Sequence, residues 1–118
     1  MFEEKRRYPR FSLCLPIKIF NQSLNIVTET KNISGNGAYC TVNENLELMT
    51  KLKIILLVPV IKKDKKILKR INCKGVVVRK EYVKENGKRL YNIGIFFSEI
   101  KEKDRELLLS YLNTLHSS

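Results

Sequence analysis

The chain has 118 residues, with 23 Lys or Arg against 12 Asp or Glu, and therefore a net charge of +11. This length suits one domain whose buried core needs neither a disulfide nor a metal for folding. The positive charge predicts an anionic partner, such as a nucleotide, a nucleic acid or a membrane surface, and the longest apolar run, residues 54–61, is too short to insert across a bilayer.

The compartment can be inferred from the N-terminus and the cysteines. Charged residues stand where a signal peptide would have its apolar segment, which predicts a cytoplasmic protein. Cys14, Cys40 and Cys73 form no CxxC pair, and one histidine is too few to build a zinc site with them. We expect three free thiols that fill small apolar spaces within strands.

Residues 1–12 are predicted to be a flexible basic arm, and residues 13–118 the folded domain. Alternation over residues 13–20 predicts a strand with Leu13 and Leu15 on its buried face. Residues 26–31 predict a second strand, an NxSxxG turn follows, and residues 38–42 predict a third strand. Residues 43–50 are expected to be a polar connection.

The second half of the chain predicts two longer hairpins and a helix. Residues 51–61 and 67–83 are expected to be strands, the latter with a bulge near Gly75, and the lysines around Asp64 predict a solvated tip in preference to a binding patch. Asn86-Gly87 predicts a type I′ turn before a last strand at residues 88–97. The helical period of residues 102–115 predicts an amphipathic helix that covers a barrel end.

Two short motifs carry the chemistry of the first third of the chain. Arg6 and Arg10 form an RxxxR spacing in the basic arm. An arginine donates from a planar fork, so it can bond the O6 and N7 edge of guanine or two phosphate oxygens at once. Two arginines four residues apart can therefore close over one ligand from two directions.

The second motif, NxSxxG, runs from Asn32 to Gly37. The amide of Asn32 can accept from guanine N–H groups, and Ser34 adds a hydroxyl. Gly35 and Gly37 allow positive φ and close backbone approach to a flat base. Each motif alone is common by chance, but their conjunction with the later strands points to a guanine-nucleotide sensor.

The chain resembles the PilZ domain, the bacterial receptor module for cyclic di-GMP, over nearly its whole length. The resemblance is carried by Arg6-Arg7-Tyr8-Pro9-Arg10-Phe11, Asn32-Ile33-Ser34-Gly35-Asn36-Gly37-Ala38, Lys74-Gly75-Val76-Val77-Val78-Arg79, Tyr91-Asn92-Ile93-Gly94-Ile95-Phe96-Phe97 and the terminal helix. It implies a mainly β fold, a six-stranded antiparallel barrel with a C-terminal helix. It also implies that cyclic di-GMP is bound by Arg6, Arg10, Asn32, Ser34 and Gly37.

Three further positions are secondary candidates for the ligand site: Lys5, Arg7 and Gly35. The resemblance implies that a basic residue at Lys5 goes with binding of a stacked pair of ligand molecules. Asn32 stands where the family pattern allows Asp or Asn, so the acceptor is kept and the charge is lost. Arg79, which ends a predicted strand, is interpreted as a surface residue in preference to a ligand contact. Tyr8 is expected either to pack on the barrel or to stack on the ligand, and we prefer packing.

Three classes of function remain open. The first is a receptor or adaptor whose arm is ordered by the nucleotide and which signals to an unidentified effector protein; an adaptor that acts without nucleotide is a variant of it. The second is a basic nucleic-acid-binding barrel, which we rate lower because the aromatic residues fall at core-like positions. The third is an enzyme, and no catalytic, metal or cofactor constellation supports it.

Overall fold

The architecture is a closed antiparallel barrel of six strands followed by one helix. The structure, a computed structural model, describes the backbone of residues 8–117 and the side chains of residues 8–115. The elements are β1 Pro16–Phe20, β2 Asn25–Ser34, β3 Gly37–Val42, β4 Lys51–Lys62, β5 Lys65–Glu85, β6 Lys88–Ile100 and α1 Glu102–Ser117. This confirms the predicted fold class.

The barrel closes in the strand order β1-β2-β3-β6-β5-β4, and every neighbouring pair is antiparallel. Inward-facing aliphatic residues alternate along the strands, so that Ile17, Ile54 and Ile95 are buried while their sequence neighbours face outwards. From α1, Leu108 and Leu112 complete this core, and the helix packs against β4. No helix within residues 8–117 is long and apolar enough to cross a bilayer.

The first strand begins later than predicted, because a side-chain hydroxyl bonds the backbone where the strand was predicted to begin. Ladder pairing of β1 with β2 begins at Pro16, opposite Glu29. Before it, the buried Thr30 hydroxyl donates to the Leu13 carbonyl at 2.7 Å and accepts from the Leu15 amide at 2.9 Å. The hydroxyl thereby satisfies backbone groups that would otherwise be buried without partners, and holds the entering chain against β2.

Both predicted hairpin turns are confirmed. Lys63 and Asp64 have φ values of 51° and 65°, and Asn86 and Gly87 have 51° and 78°. Positive φ at both central residues is the type I′ geometry, whose twist matches that of the flanking strands. The register shift predicted near Gly75 is also present, between Lys74 and Gly75.

The three cysteines do not share one environment. Cys40 and Cys73 are buried as expected, but the prediction is wrong for Cys14, which is exposed. The alternation that turns Leu13 and Leu15 inward turns the residue between them outward. Burial raises the pKa of both the Cys40 and the Cys73 thiol to about 12, with Asp104 adding a smaller electrostatic contribution at Cys73.

We therefore expect iodoacetamide at pH 8 to modify the native protein once, at Cys14, and the urea-unfolded protein three times. The thiolate is the reactive form, and a thiol with a pKa of about 12 is almost wholly protonated at that pH. Intact-mass spectrometry counts the adducts, and a Cys14→Ser variant is the control, with none expected in the native state. Rapid modification of Cys40 or Cys73 in the native protein would contradict this burial.

Candidate functional site

The entering chain is held beside the start of the NxSxxG segment. Phe11 and Ile33 form an isolated antiparallel bridge, with reciprocal N–H···O distances of 2.9 and 3.0 Å. This bridge places the preceding residue next to Asn32, and Arg10 Nη1 donates to Asn32 Oδ1 at 2.9 Å. The two sequence motifs, 22 residues apart at this pair, are therefore in direct contact.

A β-bulge turns Asn32 towards the outer surface. In the β2–β3 ladder, Thr30 pairs with Cys40 and Asn32 pairs with Tyr39, so Lys31 is the extra residue. Thr30 faces the core, and strict alternation would send Asn32 inward as well. The bulge reverses the alternation, burying Ile33 and leaving Asn32 half-exposed within reach of Arg10.

Ser34 shapes the turn that follows. Its side chain is 3 % exposed, and its hydroxyl donates to Asn36 Oδ1 at 2.9 Å while accepting from the Asn36 backbone amide at 3.2 Å. The Asn36 carbonyl accepts from the Phe97 amide at 2.9 Å, which ties the turn to β6. The hydroxyl thus stabilises the turn on which the neighbouring side chains are carried.

Gly35 and Gly37 are needed for space rather than for positive φ. Among the described glycines only Gly87 has positive φ, so Gly35 and Gly37 do not use the positive φ that a glycine allows. Both glycines are closely packed within the protein: a Cβ at Gly37 would stand 2.5 Å from the Ile95 carbonyl oxygen, and one at Gly35 would stand 2.7 Å from side-chain atoms of Tyr8 and Leu109. Their close approach to a base stays a prediction.

The C-terminal helix supports this turn from behind. Arg105 Nε donates to the Gly35 carbonyl oxygen at 3.1 Å, and its guanidinium lies 5.5 Å from the Tyr8 ring centroid. A Glu102 carboxylate 3.5 Å from the same guanidinium makes an ion pair with it. Tyr8 therefore packs between the turn and the helix, as predicted.

A row of three outward-facing residues forms the opposite side of the site. Gly94 pairs with Tyr39 on β3 and with Arg79 on β5, because a second bulge leaves Val78 without a direct partner. The missing side chain at Gly94 lets Arg79 lie across it, with its guanidinium 5.9 Å from the Tyr39 ring centroid. Arg79 therefore lies over Gly94 and beside the Tyr39 ring.

The arm, the turn and this row enclose a cleft of about 380 Å³, which lies within the size range of ligand pockets. Its lining residues are Tyr8, Arg10, Ser34, Asn36, Gly37, Ala38, Tyr39, Val78, Arg79, Gly94, Ile95 and Phe96. The Phe96 side chain is exposed although it belongs to the barrel wall. The exposed Phe96 ring offers a stacking surface, and Arg10 and Arg79 in the same lining add two anion-binding groups.

The Tyr39 hydroxyl stays a hydrogen-bond donor in this site. It donates to Glu81 Oε1 at 3.2 Å. Partial burial raises the pKa of Tyr39 above its usual 10.0, and the hydrogen bond and negative charge of Glu81 raise it further. The phenol is therefore neutral at physiological pH and adds no negative charge to the cleft.

The predicted site residues fall into three groups. Arg10, Ser34 and Gly37 line the cleft, while Asn32 joins it through Arg10 and Gly35 lies behind it against Tyr8 and Leu109. Lys5, Arg6 and Arg7 lie outside the described residues. Sequence analysis treated Arg79 as a surface residue; the structure leaves it exposed and places it in the wall of the cleft.

The residues missed by sequence analysis are those that the ladder brings in from other strands: Tyr39, Val78, Arg79 and Phe96. A glycine within the otherwise regular last strand was the one available signal, because such a glycine marks close approach of another group. The residues that pair with Gly94, namely Tyr39 and Arg79, are determined by the strand order and the bulges. A local sequence pattern specifies neither.

Two other clefts, of about 420 and 830 Å³, lie where β1 ends and β4 begins, around Phe20 and Lys53. Neither contains a predicted site residue. Among the residues that the structure describes, no three His, Cys, Asp or Glu side chains come together in a group that could hold a metal ion.

The PilZ domain family model matches residues 4–114 of the chain. No curated protein sequence gives a significant match.

Solved structures similar to the chain include three PilZ-type proteins. The Bacillus subtilis inhibitor of motility MotI/DgrA has a TM-score of 0.76 and 21% identity, over 94% of this chain and 51% of that one. The Borreliella burgdorferi PlzA protein in complex with c-di-GMP gives 0.63 and 11%, over 96% and 53%. The PilZ domain of YcgR from Escherichia coli with c-di-GMP gives 0.59 and 10%, over 96% and 93%. The chain thus spans about half the length of the first two and nearly all of the third.

Proposed function

The chain belongs to the PilZ domain family, and on this premise we propose that it is a receptor for cyclic di-GMP that binds the nucleotide in the Arg10 cleft. The observation that carries the proposal is the 2.9 Å hydrogen bond between Arg10 and Asn32, which joins the RxxxR arm to the NxSxxG turn. Similar structures, PlzA and the PilZ domain of YcgR, were solved with c-di-GMP.

The chemistry of the cleft fits an anionic guanine nucleotide. Arg10 and Arg79 stand on different walls and can each bond two phosphate oxygens or a guanine edge. The exposed ring of Phe96 lines the same cleft and offers a surface for a base. The side-chain oxygen of Asn32 accepts a hydrogen bond from Arg10, and its NH2 group can donate to the ligand.

The signalling step that we propose is ordering of the arm on the ligand. Arg6 acts with Arg10 as the second half of the clamp, and Lys5 favours a stacked pair of ligand molecules. The Tyr8 ring connects the arm to Arg105 of α1, so a shift of the arm alters contacts of the helix. An effector protein then binds the closed arm, and the receptor performs no chemistry of its own.

Titration calorimetry with cyclic di-GMP tests this function directly. We expect saturable binding with two ligand molecules per chain, and weaker binding in an Arg79→Ala variant, which loses one anion-binding wall. Arg89→Ala removes an equal charge from an exposed position outside the cleft and should leave binding unchanged. A stoichiometry of one would contradict the stacked pair, and no binding by the wild type would favour an adaptor that acts without nucleotide.

A further inference from the structure

The hairpin of β4 and β5 extends beyond the barrel as a two-stranded ribbon. Pairing of β1 with β4 ends at Leu56, and pairing of β6 with β5 reaches back only to Cys73, whereas β4 and β5 pair with each other up to Lys62 and Lys65. Residues 57–72, here called the ribbon, therefore have no flanking strand in the described part of the chain. Every residue from 61 to 70 is exposed.

The ribbon concentrates positive charge. It carries Lys62, Lys63, Lys65, Lys66, Lys69 and Arg70 against a single acidic residue, Asp64. Within residues 8–115, the ion pairs are Lys74–Glu99 and Arg105–Glu102, so none of the ribbon cations forms an ion pair with a residue of that range. Unpaired cations this close together create a strong local field that attracts an anionic surface.

Exposed aliphatic side chains stand among these cations. Ile61 is 72 % exposed and Leu68 is 57 % exposed. The register pairs Ile61 with Lys66 and Pro59 with Leu68, so the two aliphatic side chains are diagonal neighbours on one face of the ribbon. Large aliphatic side chains that are exposed beside each other favour association. They are therefore not expected in a turn that only keeps the protein soluble.

The combination matches a lipid surface better than a nucleic acid. The ribbon contains no aromatic side chain on which a base could stack. Aliphatic side chains enter the boundary between headgroups and acyl chains, and lysines around them are attracted to anionic lipids. A lipid surface therefore accounts for both the exposed aliphatic side chains and the lysines of the ribbon.

We propose that the ribbon is a docking surface for an anionic phospholipid bilayer, with Ile61 and Leu68 entering the headgroup boundary and the surrounding lysines contacting lipid phosphates. This docking is peripheral, since only the ribbon contacts the headgroup boundary. Leu68 and Val78 of the nucleotide cleft are ten residues apart on β5, which corresponds to roughly 30 Å of strand. The cleft therefore stays open to solvent while the ribbon is bound.

Sedimentation with vesicles tests the proposal. Vesicles that contain phosphatidylglycerol in phosphatidylcholine should bind the protein in a salt-sensitive manner, and vesicles of phosphatidylcholine alone should not. Lys63→Glu with Lys65→Glu should weaken binding by at least roughly thirtyfold. Lys84→Glu with Lys88→Glu makes the same charge change at the exposed tip of the other long hairpin and should leave most of the binding intact.

The aliphatic contribution has its own pair of variants. Ile61→Ser with Leu68→Ser should weaken vesicle binding about tenfold. Val27→Ser, at a valine of β2 that is 76 % exposed, should not. Circular dichroism confirms that each variant is folded.

Three results would overturn the proposal: absence of binding to anionic vesicles, equal loss in the Lys84 and Lys88 control, or equal binding to neutral vesicles. Ribbon-dependent binding to duplex DNA in place of vesicles would instead assign the surface to nucleic acid.

Discussion

Replacement of Arg10 by alanine is expected to weaken cyclic di-GMP binding by roughly a hundredfold, or about 3 kcal/mol. The guanidinium is at the junction of the arm and the turn, where it donates to Asn32 Oδ1 and lines the cleft. Its removal takes away a charged, two-pronged donor and leaves the Asn32 amide without the partner that orients it.

Titration calorimetry of this variant beside the wild type measures the loss. Arg10→Lys keeps the charge without the planar fork, and we expect it to recover only a small part of the affinity. Arg89→Ala serves as the control for an exposed arginine outside the cleft. Unchanged binding by Arg10→Ala would remove Arg10 from the site and would mean that cyclic di-GMP binds elsewhere on the chain.

Replacement of Gly37 by alanine is expected to lower the free energy of unfolding by about 3 kcal/mol. The added Cβ would stand 2.5 Å from the Ile95 carbonyl oxygen, closer than such atoms approach in folded proteins. That oxygen belongs to β6 in the β3–β6 ladder, where Gly37 is opposite Phe96, so relief requires the two strands to separate. Urea denaturation followed by circular dichroism measures the change.

Gly35→Ala is the matched control, since it adds the same methyl group two residues earlier in the same turn. There the Cβ would meet Leu109 Cδ2 and Tyr8 Cδ1, both at 2.7 Å, and these are side-chain atoms that can rotate away. We expect a loss of about 1 kcal/mol in stability. A cost at Gly37 no larger than that at Gly35 would contradict the rigid contact with β6.

The position of the arm depends on contacts from three separate parts of the chain. Thr30 holds the backbone at Leu13 and Leu15, and Ile33 pairs with Phe11. Arg105 from the C-terminal helix lies over Tyr8. Because barrel, turn and helix all contact residues 8–15, a ligand that moves Arg10 acts on a segment already linked to each of them.

The Arg10 cleft and the ribbon lie far apart along β5, and their proposed roles can be separated by experiment. Variants at Arg10 test nucleotide binding in the cleft, and variants at Lys63 and Lys65 test vesicle binding by the ribbon. If both proposals hold, cyclic di-GMP would be sensed by a receptor held at an anionic surface, where the local concentration of a membrane-associated effector is raised.

Much of this fold follows from local patterns. Alternation in residues 13–20 and the Asn86-Gly87 turn predict their structures because strand faces and type I′ turns depend on adjacent residues alone. A local pattern also predicts the helix that begins at Glu102, because its apolar residues repeat with a period that differs from that of the strands. Residue patterns also identify Arg10, Ser34 and Gly37, which the structure brings to one cleft.

The tertiary structure determined which side chains of the other strands face the cleft. The bulge at Lys31 turns Asn32 outward, and the bulge at Val78 sets Arg79 opposite Gly94. A bulge is determined by pairing between strands that are distant in sequence, so it leaves no fixed local signature. The amino-acid sequence by itself determined which strands and turns form and which motif places Arg10 at the cleft; closure of the barrel determined the side chains that face Arg10.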